Sequence, residues 1–87
     1  MKPKKIYYNR DDDVIEVSSL HPDDIQPASK EIASCLKGLD IHYMGLFGVI
    51  YLERKLSEDD LLMINLSLSE KFKIVSERGG RSSIMQA

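Results

Sequence analysis

Few residues in this chain are of types that do chemistry. His21 and His42 could serve as a base or as metal ligands, and Cys35 could serve as a nucleophile. None of the three sits in a motif. His21 precedes a proline, His42 falls in a predicted strand, and Cys35 lies on an apolar helical stripe with no activating base beside it in sequence. Structural roles suit them better. Asp11-Asp12-Asp13 reads as a turn, because no further ligands follow at the spacing of a calcium loop. Asp23-Asp24 and Glu58-Asp59-Asp60 read as helix-capping chemistry. G-x-S-x-G, G-x-G-x-x-G and the P-loop are absent, and no Cys/His set stands at zinc spacing. The expectation is a protein that is not an enzyme and has no cofactor or metal.

The tyrosines carry a different possibility. Tyr7, Tyr8, Tyr43 and Tyr51 all fall in predicted strands, and exposed strand aromatics can stack the bases of single-stranded RNA. Lys4, Lys5, Arg54, Lys55, Lys71, Lys73, Arg78 and Arg81 could then meet phosphates. Against this stand a net charge of −2, from 12 basic and 14 acidic residues, and the lack of an RNP1-type signature. Half-buried packing within a sheet accounts for the tyrosines without a ligand.

The elements that must position these residues are organised around Gly45 to Leu68. Phe47 to Leu52, FGVIYL, is rich in β-branched and aromatic residues and apolar at consecutive positions, as an interior strand would be. Gly45 and Gly48 bracket a tight turn leading into it. Ser57 followed by Glu58-Asp59-Asp60 marks a helix start, and Leu61, Ile64, Leu68 and Phe72 recur at helical spacing. The alternation of Leu62, Ile64, Leu66 and Leu68 also permits a strand. The helix reading is preferred, because Leu and Met are better helix formers and the acidic start fits.

On either side the pattern is simpler. Lys4 to Asn9 and Val14 to Ser19 predict two strands joined by the NRDDD turn, with Ile15 and Val17 on one face. Ile25, Ala28, Ile32, Leu36 and Leu39 predict a helix over about 25–37, capped by Asp24, with Pro27 in its first turn and Gly38 as a left-handed cap. Asp40 to Met44 predicts a short strand, and Lys71 to Glu77 another, with Phe72 and Ile74 on one face.

In sequence order this is an α+β fold, a small two-layer sandwich. It is read as a ferredoxin-like β-α-β-β-α-β arrangement with an extra N-terminal strand. Residues 1–78 form the single domain and 79–87 a flexible tail. One cysteine, no signal-like start and no membrane-length apolar run lead us to expect a cytoplasmic protein.

Both helices on one side of the sheet leave an apolar face on the other, which in a chain of 87 residues needs covering. The function expected from this is that of a small regulatory or adaptor protein. It would dock another protein, or a second copy in a homodimer, through its sheet face or an edge strand. The expected partner-binding residues are Tyr7, Tyr8, Tyr43, Met44, Val49 and Tyr51. Single-stranded nucleic-acid binding and small-ligand sensing are the alternatives.

Overall fold

Ile6 and Tyr8, two residues apart, are both completely buried, and they set the inner face of the first strand. The structure, a computed structural model, describes residues 2–77, so the expected tail at 79–87 lies outside the described residues. The strands are β1 (Lys4–Asn9), β2 (Val14–Glu16), β3 (Tyr43–Leu46), β4 (Val49–Leu52) and β5 (Phe72–Glu77), and the helices are α1 (Pro22–Gly38) and α2 (Glu58–Ser67). A short 3-10 turn, Val17–Ser19, follows β2 where the sequence predicts more strand.

The five strands make one mixed sheet in the order β3-β4-β2-β1-β5. Neighbours run antiparallel except β1 and β5, which are parallel. The element order matches the sequence reading, but the ferredoxin-like arrangement is met only loosely. β1 is inserted between β2 and β5, separating two strands that would otherwise pair. Its period-two pair Ile6 and Tyr8 explains that position, since an interior strand must bury one full face.

Register places Tyr8, Ile15 and Ile50 in one row across three strands, with Ile6 beside Ile74. These residues share a core with Ala28, Ile32 and Leu36 of α1 and Ile64 of α2, so both helices cover the same face. Tyr8 also spends its hydroxyl there, accepting a hydrogen bond from the Leu56 amide at 2.8 Å.

The helix ends follow from local chemistry. α1 begins three residues before the expected start, because His21, not Asp24, caps it. The His21 Nδ1 accepts from the Asp23 amide at 3.2 Å, and Pro22 occupies the first helical position, where a missing amide costs nothing. Pro27 therefore lies inside the helix. At the other end Asp40, with φ 58°, takes the left-handed position expected of Gly38. The Ile41 amide donates to Leu36 O at 2.9 Å and the Asp40 amide to Lys37 O at 3.1 Å, a Schellman closure. This exit consumes Asp40 to His42 and moves β3 three residues later than predicted.

α2 is a helix, as preferred. Ser57 and Asp60 form a reciprocal capping box, and Arg54 pairs with Asp60 at 2.7 Å. The Arg54 guanidinium, helped by the Ser57 amide, holds the Asp60 carboxyl below its ordinary value. A depressed folded value stabilises above the ordinary carboxylate range, and the effect fades as pH falls through that depressed value. Asp60→Asn is expected to be less stable than the parent near neutrality, with the gap closing below about pH 4. Urea unfolding at several pH values measures this.

Candidate functional site

A sheet covered on one side presents the other, and its composition follows from the same register. Met44 stands opposite Tyr51, and Tyr51 opposite Val14. Leu46 stands opposite Val49, Val49 opposite Glu16, and Glu16 opposite Tyr7. Met44, Leu46, Val49, Tyr51 and Tyr7 thus share the open face, with Met44 63% exposed and Tyr51 42%. The remaining two candidates do not. Tyr8 is core. Tyr43 stands opposite the buried Leu52, on the helix side, and packs half-buried against the core.

The β3–β4 hairpin turns on Phe47 and Gly48, with φ 51° and 77°. Positive φ at both positions is the pattern of a type I′ turn, which suits the twist of paired strands. Gly48 suits this place, since φ 77° strains other side chains and a Cβ would stand a tight 3.0 Å from Ser18 Cβ. Phe47 is not an obvious choice. A bulky residue in the left-handed region is strained, and this one is 90% exposed and so gains little from burial. Phe47→Asn is expected to stabilise the isolated chain by about 1 kcal/mol, since Asn tolerates that conformation. Chemical denaturation reads the gain.

β3 is also an edge strand, and hydrogen-bond parity sets the direction of its free main chain. Leu46 and Val49 close a two-residue loop and form a hydrogen-bonded pair, so bonded pairs alternate from there. The bond from the Glu53 amide to His42 O at 3.0 Å fits this parity. Tyr43 and Gly45 therefore point their amide and carbonyl groups away from β4, toward the open edge. Among the described residues no lysine, proline or bulge guards that edge.

The opposite edge is treated differently. On β5 the Ile74 amide donates to Asn65 Oδ1 at 2.8 Å, and Asn65 Nδ2 donates to Ile74 O at 3.0 Å. A helix side chain thereby occupies the main-chain groups that another strand would use. Exposed Lys71 and Lys73 flank them. Asn65→Ala should cost about 1–3 kcal/mol by orphaning both groups, measurable by thermal or urea unfolding.

The other residues with chemical potential are accounted for locally. Cys35 borders a groove of about 520 Å³ between the two helices, with Glu31, Ser34 and Ser67. Burial first, and then the charge of Glu31, raise its thiol pKa, opposite to what nucleophilic activation requires. Asn9 Oδ1 accepts from the Asp11 and Asp12 amides, so the acidic triplet is an Asx-type turn. Among the described residues no three His, Cys, Asp or Glu side chains gather where they could hold a metal ion. Also among the described residues, no helix is long and apolar enough to cross a membrane.

The basic residues suggested as phosphate contacts are partly committed. Lys4 pairs with Asp24, Arg54 with Asp60, and Lys55 with Asp13 at 3.0 Å. Arg78 and Arg81 lie outside the described residues.

Sequence reading missed two features. Leu46 and Phe47 belong to the exposed hairpin, and the two bracketing glycines were the available signal. Leu62, Met63 and Leu66 form a second exposed apolar patch on the outer side of α2, with Leu66 72% exposed. Their spacing was visible as part of the rival strand pattern. Compared with known protein families, curated proteins and solved structures, the chain matches none.

Proposed function

We propose that this chain is a non-enzymatic interaction protein, regulatory or adaptor in kind, that docks protein partners by strand addition to β3. The observation that carries this reading is the asymmetry of the two sheet edges. One edge has the main-chain groups of Ile74 occupied by Asn65 and is flanked by lysines, whereas β3 is apolar, largely exposed and, among the described residues, unguarded. Strand addition draws its affinity from main-chain hydrogen bonds, and the neighbouring side chains supply selectivity. Met44, Leu46, Val49 and Tyr51 on the open face, with Phe47 at the tip, would be those side chains. Tyr8, as core, has no place among them, and Tyr43 contributes from the helix side of the same edge.

Nucleic acid is the weaker occupant of this face. Glu16 lies between Tyr7 and Val49, so a carboxylate sits where stacked bases would pass. The fold is ferredoxin-like in element order alone. Cytoplasmic location belongs to the same proposal and rests on the single cysteine.

The test is affinity capture from host lysate with the tagged full chain, beside a Met44→Lys/Gly45→Pro double variant. A protein retained at high salt and lost with the variant supports the reading. Nucleic acid retained at low salt and released at high salt overturns it, as does a bound set identical for parent and variant.

A further inference from the structure

Gly45 is not explained by the isolated chain. It does not have the positive φ that favours glycine, and among the described residues a Cβ placed there would meet nothing within 4 Å. Glycine weakens a strand, and inside one it often marks the close approach of another group. Here the vacant side faces the helix layer, beside a groove of about 550 Å³ between α1 and the hairpin. Ile25, Ser29, Ala33, Tyr43 and Phe47 contribute to its walls.

We infer that the occupant of the β3 edge is a second copy of this chain, paired antiparallel about a two-fold axis through Met44. This rests on the reading of β3 as a docking strand. Self-pairing must bond the outward-pointing residues, Tyr43 and Gly45, to each other or to themselves. Centring on Met44 bonds Tyr43 of each copy to Gly45 of the other. Directly opposite residues share a face, so each Tyr43 ring lies over the other copy's glycine, a pairing that shields an edge glycine with an aromatic ring. The two Met44 side chains meet on the open face, in a non-hydrogen-bonded pair.

Charge and area agree with this occupant. β3 carries no charged residue, so pairing it with itself opposes no like charges along the strand. Met44, Leu46 and Phe47, at 63%, 49% and 90% exposed, border the seam. A seam of one four-residue strand stays below the 1,000 Å² or so of a stable specific interface, so the dimer is reversible and concentration-dependent. The product is a continuous ten-stranded sheet with all four helices on one face.

The experiment uses single cysteines in a Cys35→Ala background, oxidised with copper phenanthroline, beside sedimentation equilibrium of the native chain. Met44→Cys is expected to form a disulfide-linked dimer rapidly, because its partner Cβ lies within about 5 Å. Leu46→Cys, placed opposite His42 of the other copy, is expected not to. Gly45→Val should leave the monomer as stable as before and weaken association at least roughly tenfold, by filling the space the ring needs. Dimers in which Leu46→Cys crosslinks, or Met44→Cys does not, would overturn this register but leave β3 as a docking strand. A native chain that stays monomeric at every concentration overturns self-pairing, and the capture experiment then judges the docking strand independently.

Discussion

Replacing Tyr8 with phenylalanine is expected to destabilise the fold by about 1–3 kcal/mol, although only one oxygen is removed. The ring is completely buried between β1's neighbours and the helix layer. Its hydroxyl accepts from the buried Leu56 amide at 2.8 Å, tying an interior strand to the segment that leads into α2. Phenylalanine keeps the packing but leaves that amide without a partner and out of reach of water. Alanine loses the ring as well, at about 3–5 kcal/mol. A domain of this size has total stability on the order of 5–10 kcal/mol, so Tyr8→Ala leaves a substantial unfolded fraction. Tyr7→Phe, on the open face, should change stability by no more than about 0.5 kcal/mol. Urea unfolding of the three variants separates core tyrosine from surface tyrosine. Equal effects of Tyr7→Phe and Tyr8→Phe would contradict the register.

Met44→Lys combined with Gly45→Pro is expected to weaken association about a hundredfold or more, with the monomer fold retained. Proline removes the Gly45 amide, which points at the open edge and bonds nothing among the described residues, so the sheet keeps its own hydrogen bonds. Lysine at position 44 replaces a side chain already 63% exposed and places two like charges at the two-fold axis. Each copy loses a main-chain donor that only the partner uses. Sedimentation equilibrium gives the change in association, and circular dichroism gives the retained fold. An undiminished dimer in this variant would move the interface away from β3. Phe47→Asn should shift the same equilibrium toward monomer while it stabilises the fold. That opposition of sign would mean the exposed ring is kept for contact with a partner and costs the monomer stability.

Local signals in the sequence were dependable where one residue type has one physical use. Ser57 with three carboxylates behind it does start α2, and Leu61 and Ile64 of the expected stripe pack into the core from it, whereas the helix ends at Ser67, so Leu68 is its C-cap and Phe72 belongs to β5. Long-range order was not legible. KKIYYN is short and charged at its start, so it read as an added strand, yet pairing with both β2 and β5 makes it interior. Strand order depends on which surfaces meet after the chain has turned, and no local period encodes that.

Face assignment was undetermined for a related reason. FGVIYL is apolar at every position, so alternation could not say whether Val49 and Tyr51 or Ile50 and Leu52 face the helices. The adjacent tyrosines Tyr7 and Tyr8 posed the same ambiguity, and cross-strand register resolves both. At the α1 exit glycine was favoured for the left-handed turn, but aspartate also tolerates that conformation, and Asp40 lies where the Schellman bonds close.

The most direct test of the account is hydrogen exchange at the Tyr43 and Gly45 amides, followed by NMR from dilute to concentrated protein. Both amides point at an edge that is unpaired among the described residues of the single chain. They are expected to exchange rapidly when dilute and to slow as concentration rises, while Ile74, held by Asn65, stays protected throughout. Rapid exchange at Tyr43 and Gly45 at every concentration, and in any captured complex, would contradict β3 as the docking strand.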